Sequence, residues 1–443
     1  MSRLSLSPLA LLPLWLLACD GSGIELGEKP VDSIDDTGPD DSGPDDTDTV
    51  DDTDTDDTDD TDVPDDTGPD DTGTKPSFPD YDWLVDCNGG GDFTTIQAAI
   101  DAATSGDRIG LAPCEYHERI NYISKYLDIF GIEGSAHTVI DGDYGGTVVD
   151  VEDAESDGTR LAGVSIEDGY DPAGGSALEV YYASLELEDV VFAGNGESLA
   201  VAHLIVGWVD MVDVVFEDNE IIAGGEAILT DGGSFSATRL RADCGAGDYA
   251  IWQHNATLLL DNELTCAAGY GLYSYHGELQ VKRSRIEGGI AGIYAYDEED
   301  TPSERAYIYN SAIGGGVEGA RFEYMSVYIG NSVFWGAEAG LALLANSTGS
   351  WMVSNVFLNG ACGITSDLAH TASHNAFWGN TANTCGLTSA SAVTADPGFA
   401  SFPEDLSIDA SSPLVNAGYP DASWNDLDGS RNDIGLGGGR WAE

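Results

Sequence analysis

The chain has 443 residues, enough for a large folded domain, and carries 79 acidic against 16 basic side chains, a formal charge of −63. A surface of that sign repels nucleic acid and anionic lipid headgroups, so neither is expected as a partner. It also opposes polyanionic glycans unless divalent cations bridge the two.

Residues 1–18 read as an export signal: Arg3 is a weak basic start, Leu9 to Leu17 an apolar segment, and Leu16-Leu17-Ala18-Cys19 a processing site. The apolar run is interrupted by Pro8 and Pro13 and falls short of the roughly 20 residues of a bilayer-crossing helix. Leu16, Ala18 and Cys19 resemble the lipobox of bacterial lipoproteins. That resemblance implies a diacylglycerol on Cys19, membrane contact through the lipid anchor alone, and a place on the bacterial cell surface or in the periplasm. Residues 19–80 are dominated by Asp, Thr, Gly, Pro and Ser, in units such as DDTGPDDTG. Such a segment has too little apolar surface to offset its ordering entropy, so a disordered acidic tether is expected. Its Asp-rich runs lack the Gly and closing Glu of an EF-hand loop.

Residues 81–443 repeat. Ile140, Ile166, Phe192, Phe216, Leu240, Leu264, Ile286, Ile313, Phe334, Phe357 and Phe377 recur about every 24 residues, each after a short alternating stretch and before Gly, Asn or Asp. This period, with strands of about five residues and few helical stretches, predicts an all-β fold: a right-handed parallel β-helix of about 11–12 rungs. Leucine-rich repeats share the period but not the pattern. Six cysteines fall into neighbouring pairs, Cys87 with Cys114, Cys244 with Cys266 and Cys362 with Cys385, at separations of 27, 22 and 23. Residues one turn apart lie ~4.8 Å from each other, within disulfide reach, so three rung-to-rung disulfides and an oxidising compartment are expected.

GGGDFTTIQAAIDAATSG predicts a short N-terminal capping helix, with Ile96, Ala99, Ile100 and Ala103 on one face and Thr94 and Gln97 spaced as a capping box. With GDRIGLAPCEYHERI it resembles the opening of pectin methylesterases and of the wider pectate-lyase-like β-helix superfamily. DPGF, DLSIDASSPLVNAG and DLDGSRNDIGLGGG resemble the closing turns of secreted bacterial β-helix proteins. The likeness covers roughly 84–438. Esterase activity is not carried over, because the Gln-bearing and DFIFG-like strands of that family have no counterpart here.

A lyase of the superfamily would need clustered carboxylates for calcium and a basic side chain to remove a proton. Lys282, Arg283 and Arg285 form the basic cluster, but Asp261 and Glu263 lie one turn before Arg283 and Arg285, and Arg239 precedes Glu263 by 24 residues. A cross-rung salt ladder explains them. Aligning AIWQH, GLYSYH, GIYAYD, GARFEY, GLALLA and GITSDL places Trp252, Tyr273, Tyr294 and Arg321 in one outward column. A second outward column holds Asp231, His254, Tyr275, Tyr296 and Glu323. Rings beside a few polar groups suit a neutral sugar chain. Asp231 and Glu323, about four rungs or ~19 Å apart, are too distant for a glycosidase pair. His370 and His374 are ~13 Å apart on a strand and read as turn or surface residues, so no metal site is assigned. The sequence thus leads to a surface lipoprotein whose β-helix binds polysaccharide, with a polysaccharide lyase and a structural or adhesive stalk as rivals. No catalytic residue is assigned and no cofactor is required; calcium is the one ion that the lyase alternative would bring.

Overall fold

The computed structural model describes residues 80–442, apart from 155–157, 299–303, 346 and 348. The signal segment, Cys19 and almost all of the acidic tether lie outside the described residues. From Trp83 onward the chain coils as a right-handed parallel β-helix of about 13 turns, one or two more than the repeat count predicts. Each turn contributes one strand to each of three stacks. In one turn these are Leu279–Lys282 in the first stack, Arg285–Gly288 in the second and Ala291–Tyr296 in the third. Within the stacks, strands pair in parallel with their equivalents in adjoining turns, as in Tyr270–Tyr275 against Ala291–Tyr296.

Alternation decides which residues fill the interior. In Ala291–Tyr296, Ile293 and Ala295 are fully buried while Tyr294 and Tyr296 keep part of their surface in water. The anchors stack in register through the second stack as Tyr116, Ile140, Ile166, Phe192, Phe216, Ala242, Leu264, Ile286, Ile313, Phe334, Phe357 and Phe377. One expected anchor is corrected: Ala242, not Leu240, occupies the column. Leu240 points inward two residues earlier, at the corner between the first and second stacks, where period-two alternation makes it look equivalent.

That corner is built by hydrogen bonds that the repeat pattern did not reveal. The backbone N–H at each corner donates to the side chain one turn ahead: Leu240 to Asn262 (2.7 Å), Asn262 to Ser284 (3.1 Å), Ser284 to Ser311 (3.2 Å), Ser311 to Ser332 (3.1 Å), Ser332 to Asn355 (3.0 Å) and Asn355 to Asn375 (2.9 Å). These corners pair backbone groups that no ladder reaches. The residue before each one bends the chain with a left-handed φ, for example 58° at Asp261 and 47° at Arg283.

All three expected disulfides are present, with Cα–Cα distances of 6.4, 5.0 and 6.0 Å. The N-terminal helix spans Ile96–Ala102 and buries Ile96, Ala99 and Ile100. Its cap differs from the expected Thr94–Gln97 box. Thr95 is the N-cap residue and makes no side-chain bond; the Glu118 carboxylate accepts from the N–H groups of Ile96 and Gln97 at 2.7 and 2.9 Å. The C-terminal segment also departs from expectation. It adds no closing turns: Phe399–Ser401 and Asp405–Ile408 pair antiparallel, and the chain then folds back along the flank. Asn310 donates to the carbonyls of Leu436 and Gly438, and Ser354 accepts from the N–H of Tyr419. The cause is apolar: Ala312, Val333, Val356 and Ala376 form a second buried cluster with Leu406, Leu414 and Ile434 from the returning segment.

Candidate functional site on the third stack

The two outward columns expected from the sequence are in register. Leu229, Trp252, Tyr273, Tyr294 and Arg321 follow one another turn by turn, as do Asp231, His254, Tyr275, Tyr296 and Glu323. Trp252 and Tyr273 are nearly parallel, with centroids 6.3 Å apart, whereas Tyr273 and Tyr294 meet edge to face at 5.2 Å. His254 stacks on Tyr275 at 5.0 Å, and Tyr275 lies 4.7 Å from Tyr296. The rings are half-buried against one another. Burial and a bond to Tyr296 push the Tyr273 phenol up, and burial pushes Tyr294 up to about 12.

Polar groups flank the rings at both ends. Nδ1 of His254 lies 3.3 Å from Asp231. At the other end the Arg321 guanidinium lies 5.6 Å from the Tyr294 ring centre, bonds Glu323 at 2.6 Å and lies 3.5 Å from Glu318. Asp231 and Glu323 are four turns apart, as expected, so they do not act as a close carboxylate pair.

The sequence reading missed several residues of this face. Tyr249 and Tyr270 form a third row, stacked at 5.5 Å, and Glu226 precedes Tyr249 in register. Toward the N-terminus the first column continues through His203, Glu179 and Asp150. His203 Nδ1, Asp150 Oδ1 and Glu226 Oε2 are buried with no hydrogen-bond partner among the described residues. Burial holds His203 below the usual imidazole range. Burial, then the neighbouring carboxylates Asp150, Asp171 and Glu152, push Glu179 up. Burial and the charge of Asp248 push Glu226 up to about 7. Extending the alternation upstream through ALEVYY and VAHLI would have found the His203 column. Those turns lack the Gly-Ile or Gly-Leu opening that marks later ones such as GLYSYH and GIYAYD.

The basic cluster sits elsewhere, at the corner between the first and second stacks. There a cleft of about 840 Å³ opens between the coil and the returning C-terminal segment. Each guanidinium in it has a carboxylate: Arg239 with Asp213 (2.6 Å), Arg241 with Glu263 (3.6 Å), Arg283 with Asp261 (2.6 Å), and Arg285 with Glu287. The salt ladder therefore exists, with Arg283 on Asp261 and Arg285 in register with Glu263 as expected; one member is corrected, since Arg241, not Arg239, faces Glu263 from the turn before. His374 is a corner residue with φ 53°, its ring 5.6 Å from Tyr419. No helix among the described residues is long and apolar enough to cross a membrane.

No protein-family model and no characterised protein sequence matches the chain. Solved structures do. The A-module of mannuronan C-5 epimerase AlgE6 from Azotobacter vinelandii is 17% identical, with a TM-score of 0.46 over 68% of this chain and 94% of that one. Pectate lyase Pel9A is 12% identical, with a TM-score of 0.41 over 78% and 90%. The A-module of AlgE4, also from Azotobacter vinelandii, is 14% identical, with a TM-score of 0.31 over 68% and 93%. These are likenesses of fold alone; that the chain is a parallel β-helix is read from its own strand pairings.

Proposed function

We propose that the outer face of the third stack binds a neutral polysaccharide, laid along the coil axis across successive turns. The observation that carries this reading is the run of Trp252, Tyr273 and Tyr294 in register, with His254, Tyr275 and Tyr296 beside it and Asp231, Arg321 and Glu323 at the ends. Apolar C–H faces of sugars stack on such rings, and hydroxyl groups pair with the flanking charged groups. On this reading the export signal, the lipid on Cys19 and the acidic tether display the β-helix outside the cytoplasm, in keeping with its disulfides.

A glycan array probed with the full chain tests it. Each ring contributes about 0.5–1.5 kcal/mol, so the combined Trp252→Ala, Tyr273→Ala and Tyr294→Ala variant is expected to bind about 100-fold more weakly. Unchanged retention of every bound glycan by a folded triple variant would remove the proposal and favour a structural stalk.

One observation favours a second, enzymatic reading. His203, whose neutral form burial favours and whose Nδ1 lies 3.9 Å from Glu179, has the character of a proton-abstracting base. A lyase acting on a uronate chain would need calcium to screen those carboxylates. Unsaturated products absorbing in the near ultraviolet, lost in His203→Ala, would establish it; their absence on a panel of uronate polymers would remove it.

A further inference from the structure

We propose that the strand Cys114–His117 and the turn that follows the strand Thr138–Asp141 form a binding site for one divalent transition cation of the zinc or manganese kind. The two strands pair in register, Glu115 with Val139 and His117 with Asp141. Tyr116 is buried between Glu115 and His117, so these two point outward together. Asp141 sits one turn above His117 and is only 7% exposed. The chain then reverses at Asp143, φ 50°, whose N–H donates to Asp141 Oδ1 at 2.8 Å and whose carboxylate returns toward the imidazole.

Three donors converge, with the Asp143 carboxylate beside the imidazole. His117 Nδ1 lies 3.0 Å from Asp141 Oδ2 and 3.5 Å from Asp143 Oδ1, and Glu115 Oε1 lies 3.7 Å from His117 Nε2. One donor atom from each of Glu115, His117 and Asp141 lies within 4.8 Å of the other two. Metal–ligand bonds of about 2.0–2.2 Å in a tetrahedron set donors about 3.3–3.6 Å apart, within a few tenths of an ångström of both His117 Nδ1 distances. Three carboxylates meet one imidazole; a dication would take the imidazole's lone pair and offset two of the three negative charges. An imidazole among carboxylates selects zinc or manganese over calcium, whose ligands are oxygens. The site is on the second stack, away from the proposed glycan face. It ties the strand Cys114–His117 to the turn above, while the Cys87–Cys114 disulfide ties it to the turn below.

Calorimetric titration of the full chain with Zn²⁺, against His117→Ala and Asp143→Asn, tests the proposal. Weak binding by the Asp-rich tether is common to all three proteins and cancels in the comparison. Both replaced side chains are more than half exposed, so the variants are expected to fold. The expected result is one saturable site whose affinity falls about tenfold or more in each variant, since even replacing a group that only orients a ligand costs 10–100-fold. Zn²⁺ should also raise the midpoint of thermal unfolding in the parent and not in His117→Ala. Superimposable isotherms for parent and His117→Ala, or displacement of Zn²⁺ by equimolar Ca²⁺, would overturn the site.

Discussion

Glu226 provides a quantitative test of how this fold holds its unpaired acids. It lies in the strand Ile221–Thr238, between Ala200 and Tyr249 in register, and is 7% exposed. Oε2 has no partner among the described residues, and burial, then the charge of Asp248, pushes the acid from 4.5 up to about 7. The folded state therefore holds a proton that the unfolded chain releases near pH 4.5. A raised folded value means the stabilisation is complete below about pH 4.5 and is lost as pH rises through 7. The full shift corresponds to about 3.4 kcal/mol at ~1.4 kcal/mol per pH unit, and water entering at the rim reduces this to about 2 kcal/mol. Glu226→Gln keeps the shape and removes the titration. Denaturant unfolding of both proteins at pH 5 and pH 8 can be followed by intrinsic tryptophan fluorescence. The variant is expected to match the parent within about 0.5 kcal/mol at pH 5 and to exceed it by about 2 kcal/mol at pH 8. Parallel pH dependences in the two proteins would refute a neutral, buried Glu226.

Two further predictions concern the scaffold. Asn355 accepts from the N–H of Ser332 and donates to the carbonyl of Ile329. Asn355→Ala strands both groups in the interior and should cost about 2–4 kcal/mol in denaturant unfolding, while Asn355→Ser, the residue used at positions 284, 311 and 332, should recover about half. The Cys244–Cys266 bridge closes a loop of about one turn, so replacing both cysteines by Ser should lower stability by about 3 kcal/mol with the fold retained. Equal stability of the reduced and oxidised parent would contradict this.

The coil was legible because its signal is repeated: a bulky inward residue once per turn, and cysteines at one-turn separations. The outward columns from Trp252 to Arg321 and from Asp231 to Glu323 were legible for the same reason, since period-two alternation propagates from one inward Ile or Leu per turn. Interchangeable residues produced the errors. Leu240 and Ala242 are both buried and two apart, so hydrophobicity alone selected the larger one. Asn and Ser at the corners looked like ordinary turn residues, although Asn262, Ser311, Asn355 and Asn375 are buried links of one ladder. The returning C-terminal segment was misread because its role depends on Val333 and Val356 facing outward, and a sequence does not show which apolar residues the coil leaves uncovered. Neither does it show that Glu115, His117, Asp141 and Asp143, spread over 29 residues, meet across one turn.

The two charged regions of the coil separate structural from functional use of the same residue types. At the corner lined by Arg239, Arg241, Arg283 and Arg285 every guanidinium meets a carboxylate, an arrangement that half-exposed ion pairs adopt at little energetic consequence. On the third stack Asp150, Glu179 and His203 follow one another in register with Glu226 in the neighbouring row, and Asp150 Oδ1, His203 Nδ1 and Glu226 Oε2 are buried without a hydrogen bond among the described residues. Burying such groups unpaired costs about 1–3 kcal/mol each, and a salt ladder or a row of threonines there would be more stable. On the proposed reading, the hydroxyl groups of a glycan lying along the rings from Trp252 to Tyr294 would complete the bonds of those atoms.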